Sequence, residues 1–280
     1  MEWKKLPGRA GSDRIFAIGD VHGQATVLEK TLNAIALVPD CGRHRRLIFT
    51  GDIIDRGPEN LRSIELVMNA GKVARVDQVD FILGNHELMF LEAIEHPHWA
   101  MNLWTQNGGM ALVDECDPEG EFERIDDVAR MLSERLHAFA DFARAGKNHL
   151  FIEDLLFVHA GVDPHVDIMA FLGQERFGAT RMEDHWAWIR EPFLSWRGGW
   201  TEHDDLTIIH GHTPHNANRM VDPSAASDYF DLVETNGRIC LDAGAMSRGQ
   251  LVLLEISDGM YRLQMQQVPE FNPNHDLQLG

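Results

Sequence analysis

Four short apolar runs end in the same way. RIFAIGD closes on Asp20, RLIFTGD on Asp52, DFILGN on Asn85 and LTIIHGH on His212. In each, a stretch with the character of a buried strand reaches a glycine, and a residue type able to bind a metal ion follows at once. A fifth run, LLFVHAG, carries His159 just before Ala160 and Gly161. Glycine lets a chain turn and lets backbone approach whatever lies beyond the strand end. One such junction is an ordinary turn. Repeated at the ends of separate strands, it places ligand side chains along one sheet edge, where function gathers in open α/β sheets.

Between these runs lie helical patterns. Val27, Leu28, Thr31, Leu32 and Ile35 share one face at helical spacing. Pro58 opens a second helix with Leu61, Ile64 and Met68, and Gly71 is placed to end it. Strand alternating with helix predicts α/β architecture. Residues 125–145 read as one long amphipathic helix through Val128, Leu132, Leu136, Phe139 and Phe142. The C-terminal part changes character. GRICLDAG, GQLVLLEIS and MYRLQMQ read as strands, the last two joined by Asp258–Gly259, a hairpin signal. The expectation is a second, largely antiparallel sheet there. The chain length of 280 residues suits one domain over 1–265, with a helical, lid-like insertion at about 91–150 and a loose tail over 266–280.

The ligand-type residues at the junctions are Asp20, His22, Asp52, Asn85, His159 and His212. Carboxylate, imidazole and amide suit Mn²⁺, Fe or Zn²⁺ rather than a thiolate site. Cys41, Cys116 and Cys240 are far apart and form no CxxC pair, and none precedes an arginine at the spacing of a cysteine-phosphatase loop. In IIHGHTPH, His210 and His212 are two apart, so strand alternation cannot separate them. The junction pattern gives His212 the ligand position, His210 a place in the strand and His215 a place in the loop beyond. His86 and Asp55 stand beside ligands; a histidine oriented by a carboxylate can protonate a leaving oxygen. Arg56 follows Asp55, and a guanidinium matches phosphate oxygens.

The net charge of −19 argues against nucleic acid and anionic membrane as partners. It also repels a phosphorylated substrate unless the site carries its own positive charge, which bound cations would supply. No apolar run is long enough to span a membrane, and the opening MEWKKLPGRAGSDR has no apolar core, so the protein is expected in the cytoplasm.

GDVHG, GDIIDRG, GNHE, HAG and GHTP, in this order, resemble the PPP superfamily of metallophosphatases, in particular the bacteriophage lambda type and its bacterial relatives. NLWTQNGG at 102–109 and LDAGAMSRGQLVLLEI at 241–256 fit the same type, so the likeness covers roughly residues 14–256. The resemblance implies an α/β, calcineurin-like metallophosphoesterase fold, two central mixed sheets flanked by helices, with a bimetal site at the strand C-terminal ends. It implies that Asp20, His22 and Asp52 hold one divalent ion, and that Asp52, Asn85, His159 and His212 hold the other. His86 matches the family's general acid, Asp55 its paired carboxylate and Arg56 a phosphate-binding arginine. Arg190 in HWAWIREPF matches a second such arginine, with Arg181 and Arg197 nearby. The implied reaction is direct attack on phosphorus by a hydroxide bridging two metal ions, Mn²⁺ foremost. The implied substrate is a phosphoserine or phosphothreonine protein, with small phosphoesters as surrogates. The alternatives are a bis(5′-nucleosyl)-tetraphosphatase, a phosphodiesterase and a non-catalytic metal- or phosphate-binding module. GNHE and DRG lean towards the phosphatase, because hydrolases of the tetraphosphatase group tend to read GNHD.

Two features compete as decoys. ECDPEGEFERID mimics a calcium loop but lacks the proper first and last residues. Trp186, Trp188, Trp196 and Trp200 form an aromatic patch expected to be packing rather than substrate contact.

Overall fold

The computed structural model describes residues 2–177, 181–200, 205–214 and 230–268. Two sheets form its centre. The first has the strand order β1 (Lys4–Lys5), β11 (Met260–Gln267), β10 (Gln250–Ser257), β2 (Arg14–Ile18), β3 (Arg45–Phe49), β4 (Gln78–Phe81). The second runs β5 (His149–Ile152), β6 (Leu155–Val158), β7 (Thr207–His210), β9 (Arg238–Cys240), β8 (Asp231–Leu232). Both are mixed. β2, β3 and β4 are parallel, as are β6, β7 and β9, while the flanking strands run antiparallel.

Alternation along the strands divides the core in two. Ile15, Ala17 and Ile48 of the first sheet meet Leu155, Phe157, Ile209 and Ile239 of the second in one cluster between the sheets. Phe16, Ile18, Leu47 and Phe49 turn the other way, under the helices. Strands covered on both faces must be apolar throughout, which is why RIFAI and RLIF show no polar alternation.

The crossover helix α1 (Ala25–Ala36) buries Val27, Leu28, Thr31, Leu32 and Ile35, the face read from the sequence. Each aliphatic side chain buried there contributes roughly 2 kcal/mol. α2 (Asn60–Met68) buries Asn60, Ser63, Ile64 and Val67, whereas Leu61 and Met68 are exposed. Gly71 does not end that helix; Asn69 does, and Gly71 lies inside the short α3 (Ala70–Val73). The next helices are α4 (Asn85–Glu95), α5 (Pro97–Trp104), α6 (Met110–Cys116), α7 (Ile125–Arg135) and α8 (His137–Ala145). The single helix expected over 125–145 is therefore two, broken at Leu136, whose backbone leaves the helical region at φ −111°. No proline or glycine marks that break. Packing makes it, keeping Leu132, Leu136 and Phe139 all buried against the helical side of the core.

The C-terminal strands correct the expectation of a separate antiparallel sheet. β10 and β11 are a hairpin, with Asp258 and Gly259 both at positive φ as a tight turn requires, but they extend the first sheet through β10 against β2. β9 joins the second sheet, parallel to β7. β9 and β10 are buried along nearly their whole length, whereas β11 alternates and buries only Tyr261 and Leu263 fully, so partner choice was decided by the core each could complete. β11 also runs into the expected tail: Gln266 and Gln267 pair with Leu251 and Gln250. Residues 269–280 lie outside the described residues.

Candidate metal centre

The parallel strands of both sheets open towards the same place. After β2 come Asp20 and His22; after β3, Asp52, Asp55 and Arg56; after β4, Asn85, His86 and Glu87. The second sheet delivers His159 after β6, His212 after β7 and Asp242 after β9. All except Arg56 are buried. The glycines of the junctions serve close approach. A Cβ on Gly211 would lie 2.0 Å from Asp20 Oδ1, and one on Gly84 would lie 2.1 Å from Asp52 Oδ1. The residues that follow bear the strain. His22, Asp52, Asp55, Arg56 and His212 all have φ between 46° and 75°, a conformation costing a non-glycine residue on the order of 1 kcal/mol.

Asp52 Oδ2 is the hub. His159 Nε2 lies 3.3 Å from it, His22 Nε2 3.6 Å and His86 Nε2 3.9 Å. Two sets of donor atoms close enough to share an ion meet there, His22–Asp52–His86 and Asp52–His159–His212. Asn85 Oδ1 lies 3.0 Å from both His159 Nε2 and His212 Nδ1. The imidazoles are aimed from behind, as metal-ligating histidines are. His22 Nδ1 donates to the Ile54 carbonyl at 3.0 Å and His159 Nδ1 to the Thr50 carbonyl at 2.7 Å, which turns each Nε2 lone pair inward. His86 Nδ1 lies 2.6 Å from Asp55 Oδ2. His86 Nε2 and His212 Nε2 are buried without a partner among the described residues. Buried orphaned nitrogens around a shared carboxylate, with oxygen and imidazole donors and no thiolate, fit a pair of divalent ions.

Electrostatics point the same way. Burial alone would raise the Asp52 carboxyl, but the surrounding imidazoles, His159 foremost, hold it well below the usual carboxylate range. His159 is the counterpart: burial opposes its charge, yet Asp52 and then Asp20 push it up to about 10. Burial, His86 and Arg56 hold His22 well below its ordinary value; burial, His159 and Arg190 do the same for His212. Burial also raises Asp20 well above its ordinary value, with neighbouring Asp242 adding to the effect. Such clustering of perturbed groups at strand ends is the mark of a functional site.

A family model of calcineurin-like phosphoesterases matches residues 13–243. The chain belongs to this family. Among curated relatives, the chain is 35% identical over 112 residues to serine/threonine-protein phosphatase 2 of Escherichia coli, covering 40% of this chain and 45% of that one. It is 32% identical over 150 residues to the symmetrical bis(5′-nucleosyl)-tetraphosphatase of Janthinobacterium, covering 53% of this chain and 44% of that one. It is 27% identical over 246 residues to serine/threonine-protein phosphatase 1 of Salmonella typhimurium, covering 86% and 91%. Thus the chain spans less than half the length of the first two of these relatives.

The fold brings the expected ligand-type residues together, with one difference of grouping. Asp20 is turned to receive the His212 backbone N–H, at 2.9 and 3.2 Å from its two oxygens, and His86 stands with His22 and Asp52 instead. His210 sits apart from the hub. It packs edge-on against Phe193 at 4.9 Å, and burial and then Arg238 lower it to about 3. His215 lies outside the described residues. Of the three candidate arginines, Arg190 acts on His212, whereas Arg181 pairs with Glu183 and Arg197 bonds the carbonyls of Leu194 and Trp196. The calcium mimic is structural: Glu115 accepts the N–H groups of Asn60 and Leu61 at the start of α2, and Asp117 those of Glu121 and Phe122. Trp186 and Trp200 are buried packing residues.

Sequence reasoning missed Glu87 and Asp242. The Glu87 carboxylate is fully buried and accepts the N–H groups of Asp52, Ile53 and Gly84 at 2.9, 2.8 and 3.0 Å, tying the β3 turn to the β4 turn. Its signal was the last letter of GNHE. Asp242 ends its strand in LD rather than GD, so the junction pattern passed over it.

Proposed function

We propose that this phosphoesterase hydrolyses phosphoric esters or anhydrides by direct attack of water on phosphorus, with His86 as general acid. The observation that carries this reading is the gathering of His22, His159 and His212 donor atoms about one carboxylate, Asp52, beside His86, whose ring Asp55 orients and whose Nε2 has no hydrogen-bond partner among the described residues. Asp20, His22, Asp52, Asn85, His159 and His212 would hold two divalent ions, Mn²⁺ foremost, which when bound neutralise phosphate charge and acidify water. The side chains do the rest. Arg56 and Arg190 are both exposed, the first 3.2 Å from His22 Nε2 and the second near enough to His212 for its charge to lower that imidazole. They bind the phosphate's oxygens and hold the phosphorus in line. Asp55 fixes the His86 ring, and Nε2 delivers a proton to the leaving oxygen. Burial lowers His86 to about 4, and the negative charge of a bound phosphate works in the opposite direction, favouring the protonated form.

For the substrate, we propose a dinucleoside polyphosphate. The support is the tetraphosphatase alignment, which at above 30% identity covers 53% of this chain against 40% for the E. coli phosphatase. The second reading, a phosphoserine/phosphothreonine protein phosphatase, is favoured by the 27% identical alignment over 86% of the chain and by the DRG arginine. The test is a side-by-side assay of Mn²⁺-loaded protein on diadenosine tetraphosphate, a phosphothreonine peptide and an aryl phosphate. Faster cleavage of the dinucleotide is expected. Faster cleavage of the peptide would replace the substrate while leaving the site intact. No turnover on any would overturn the hydrolase reading.

A further inference from the structure

His86 does not hold Asp55 alone. Asp55 Oδ2 receives two donors, His86 Nδ1 at 2.6 Å and the indole Nε1 of Trp104 at 2.8 Å. All three side chains are fully buried, and the other oxygen of Asp55 has no partner among the described residues. The rotation of this carboxylate is therefore set by these two donors at a single oxygen. A phenylalanine keeps an aromatic ring in this place, with a smaller volume, and removes the N–H.

The segment that carries Trp104 grips the same turn at further points. After α5 the chain kinks within Thr105–Gly109, where Gly108 leaves the helical region at φ 108°. The Gly108 carbonyl accepts the Arg56 backbone N–H at 3.0 Å, and the Asn107 carbonyl accepts Arg56 Nε at 3.3 Å. Asp55 and Arg56 are consecutive left-handed residues, at φ 75° and 69°, so their turn needs outside support. The fit leaves no slack. A Cβ on Gly109 would lie 2.3 Å from the indole, and one on Gly108 would lie 2.5 Å from Arg56 Cγ. On its other side the indole packs against Phe90 of α4, the helix that begins at Asn85 and His86, with ring centres 5.6 Å apart.

We propose that Trp104 is a positioning residue for the acid pair. Its indole N–H fixes the Asp55 carboxylate in the orientation that turns His86 Nε2 towards the leaving-group oxygen, while the Asn107–Gly109 turn keeps Arg56 in register with it. The proposal rests on the reading of His86 as general acid. It assigns a task to NLWTQNGG, the segment that the proposed reaction left unused.

Trp104→Phe tests it, assayed with Mn²⁺ on an alkyl phosphate, a poor leaving group, and on nitrophenyl phosphate, a good one. A general acid matters most when the leaving oxygen needs its proton. The alkyl-phosphate kcat should fall roughly ten-fold, with kcat on nitrophenyl phosphate, KM and metal content nearly unchanged. In a His86→Asn background the same substitution should cost nothing further, since the group it positions is gone. Proportional loss on both substrates, or a full further loss in that background, would reduce Trp104 to packing and overturn the proposal. If His86→Asn alone shows no leaving-group dependence, the acid assignment fails first, and the two failures are thereby told apart. Should Trp104→Phe not fold, ¹H–¹⁵N spectra of the wild-type indoles and of Asp55→Asn replace it. A strongly shifted, exchange-protected indole N–H that moves in the variant is expected; no movement would overturn the proposal.

Discussion

The two halves of the candidate metal centre are built differently. The half on β2, β3 and β4 holds itself. Glu87 ties Asp52, Ile53 and Gly84 together, and Trp104 and Gly108 hold Asp55 and Arg56. The half on β6, β7 and β9 is aimed largely by the other. The His159 ring is directed by the Thr50 carbonyl, and the His212 backbone by the Asp20 carboxylate. Its strand ends are linked to one another by Gly211 N–H to His159 carbonyl and Leu241 N–H to His210 carbonyl, among other bonds. The first half is a well-tied frame carrying His86, Asp55 and Arg56, the groups proposed to move the proton and bind phosphate, while the second supplies candidate ligands that close the site once the sheets are packed. Rigid support matters most where a group must be placed to within a fraction of an ångström.

This contrast can be broken from the frame side first. Glu87→Ala leaves three buried N–H groups without an acceptor and should cost roughly 3 kcal/mol or more of stability, read by denaturant unfolding. A loss below about 1 kcal/mol would mean that the frame is not held by this carboxylate. A smaller effect, confined to metal content, separates the ligand half from its strand. His212→Ala should lower bound metal, measured by elemental analysis after dialysis, while His210→Ala should keep it and lose only packing against Phe193. The reverse result would overturn the division between the two histidines.

The smallest effect sharpens the picture of the helices behind the frame. Cys116 at the end of α6 is buried, and burial followed by the Glu115 charge pushes its thiol up to about 11 from 9.0. Between those values the unfolded chain releases a proton that the folded chain keeps. Stability should therefore fall as pH rises through this window, and Cys116→Ala should flatten that slope. Near neutrality an alkylating reagent should label exposed Cys41 well before Cys116. Equal labelling rates would show that the helical backing opens freely.

Much of the site was legible because strand ends obey local rules. A buried strand, a glycine and a ligand-type residue are adjacent in the chain, so Asp20, Asp52, Asn85 and His212 could be picked out by pattern. Glu87 and Trp104 could not, because their tasks are long-range. Glu87 acts on residues 34 and 35 positions back, and Trp104 on one 49 back. Asp242 was hidden for a simpler reason: its strand end lacks the glycine that flagged the others. The same limit applies to the fold. The α1 face and the Asp258–Gly259 hairpin were readable, because helical periodicity and turn chemistry are local.

By itself, then, the sequence determined the α/β character and marked the ligand-type residues that gather about Asp52, His212 among them. Tertiary structure decided which sheet β9, β10 and β11 would join, that residues 125–145 would bend at Leu136, and which buried donors would steady Asp55. Those outcomes depend on which apolar face is covered and which N–H finds an acceptor once distant segments meet. Burial and hydrogen bonding between remote segments are properties of the assembled core, and no local stretch of chain carries them.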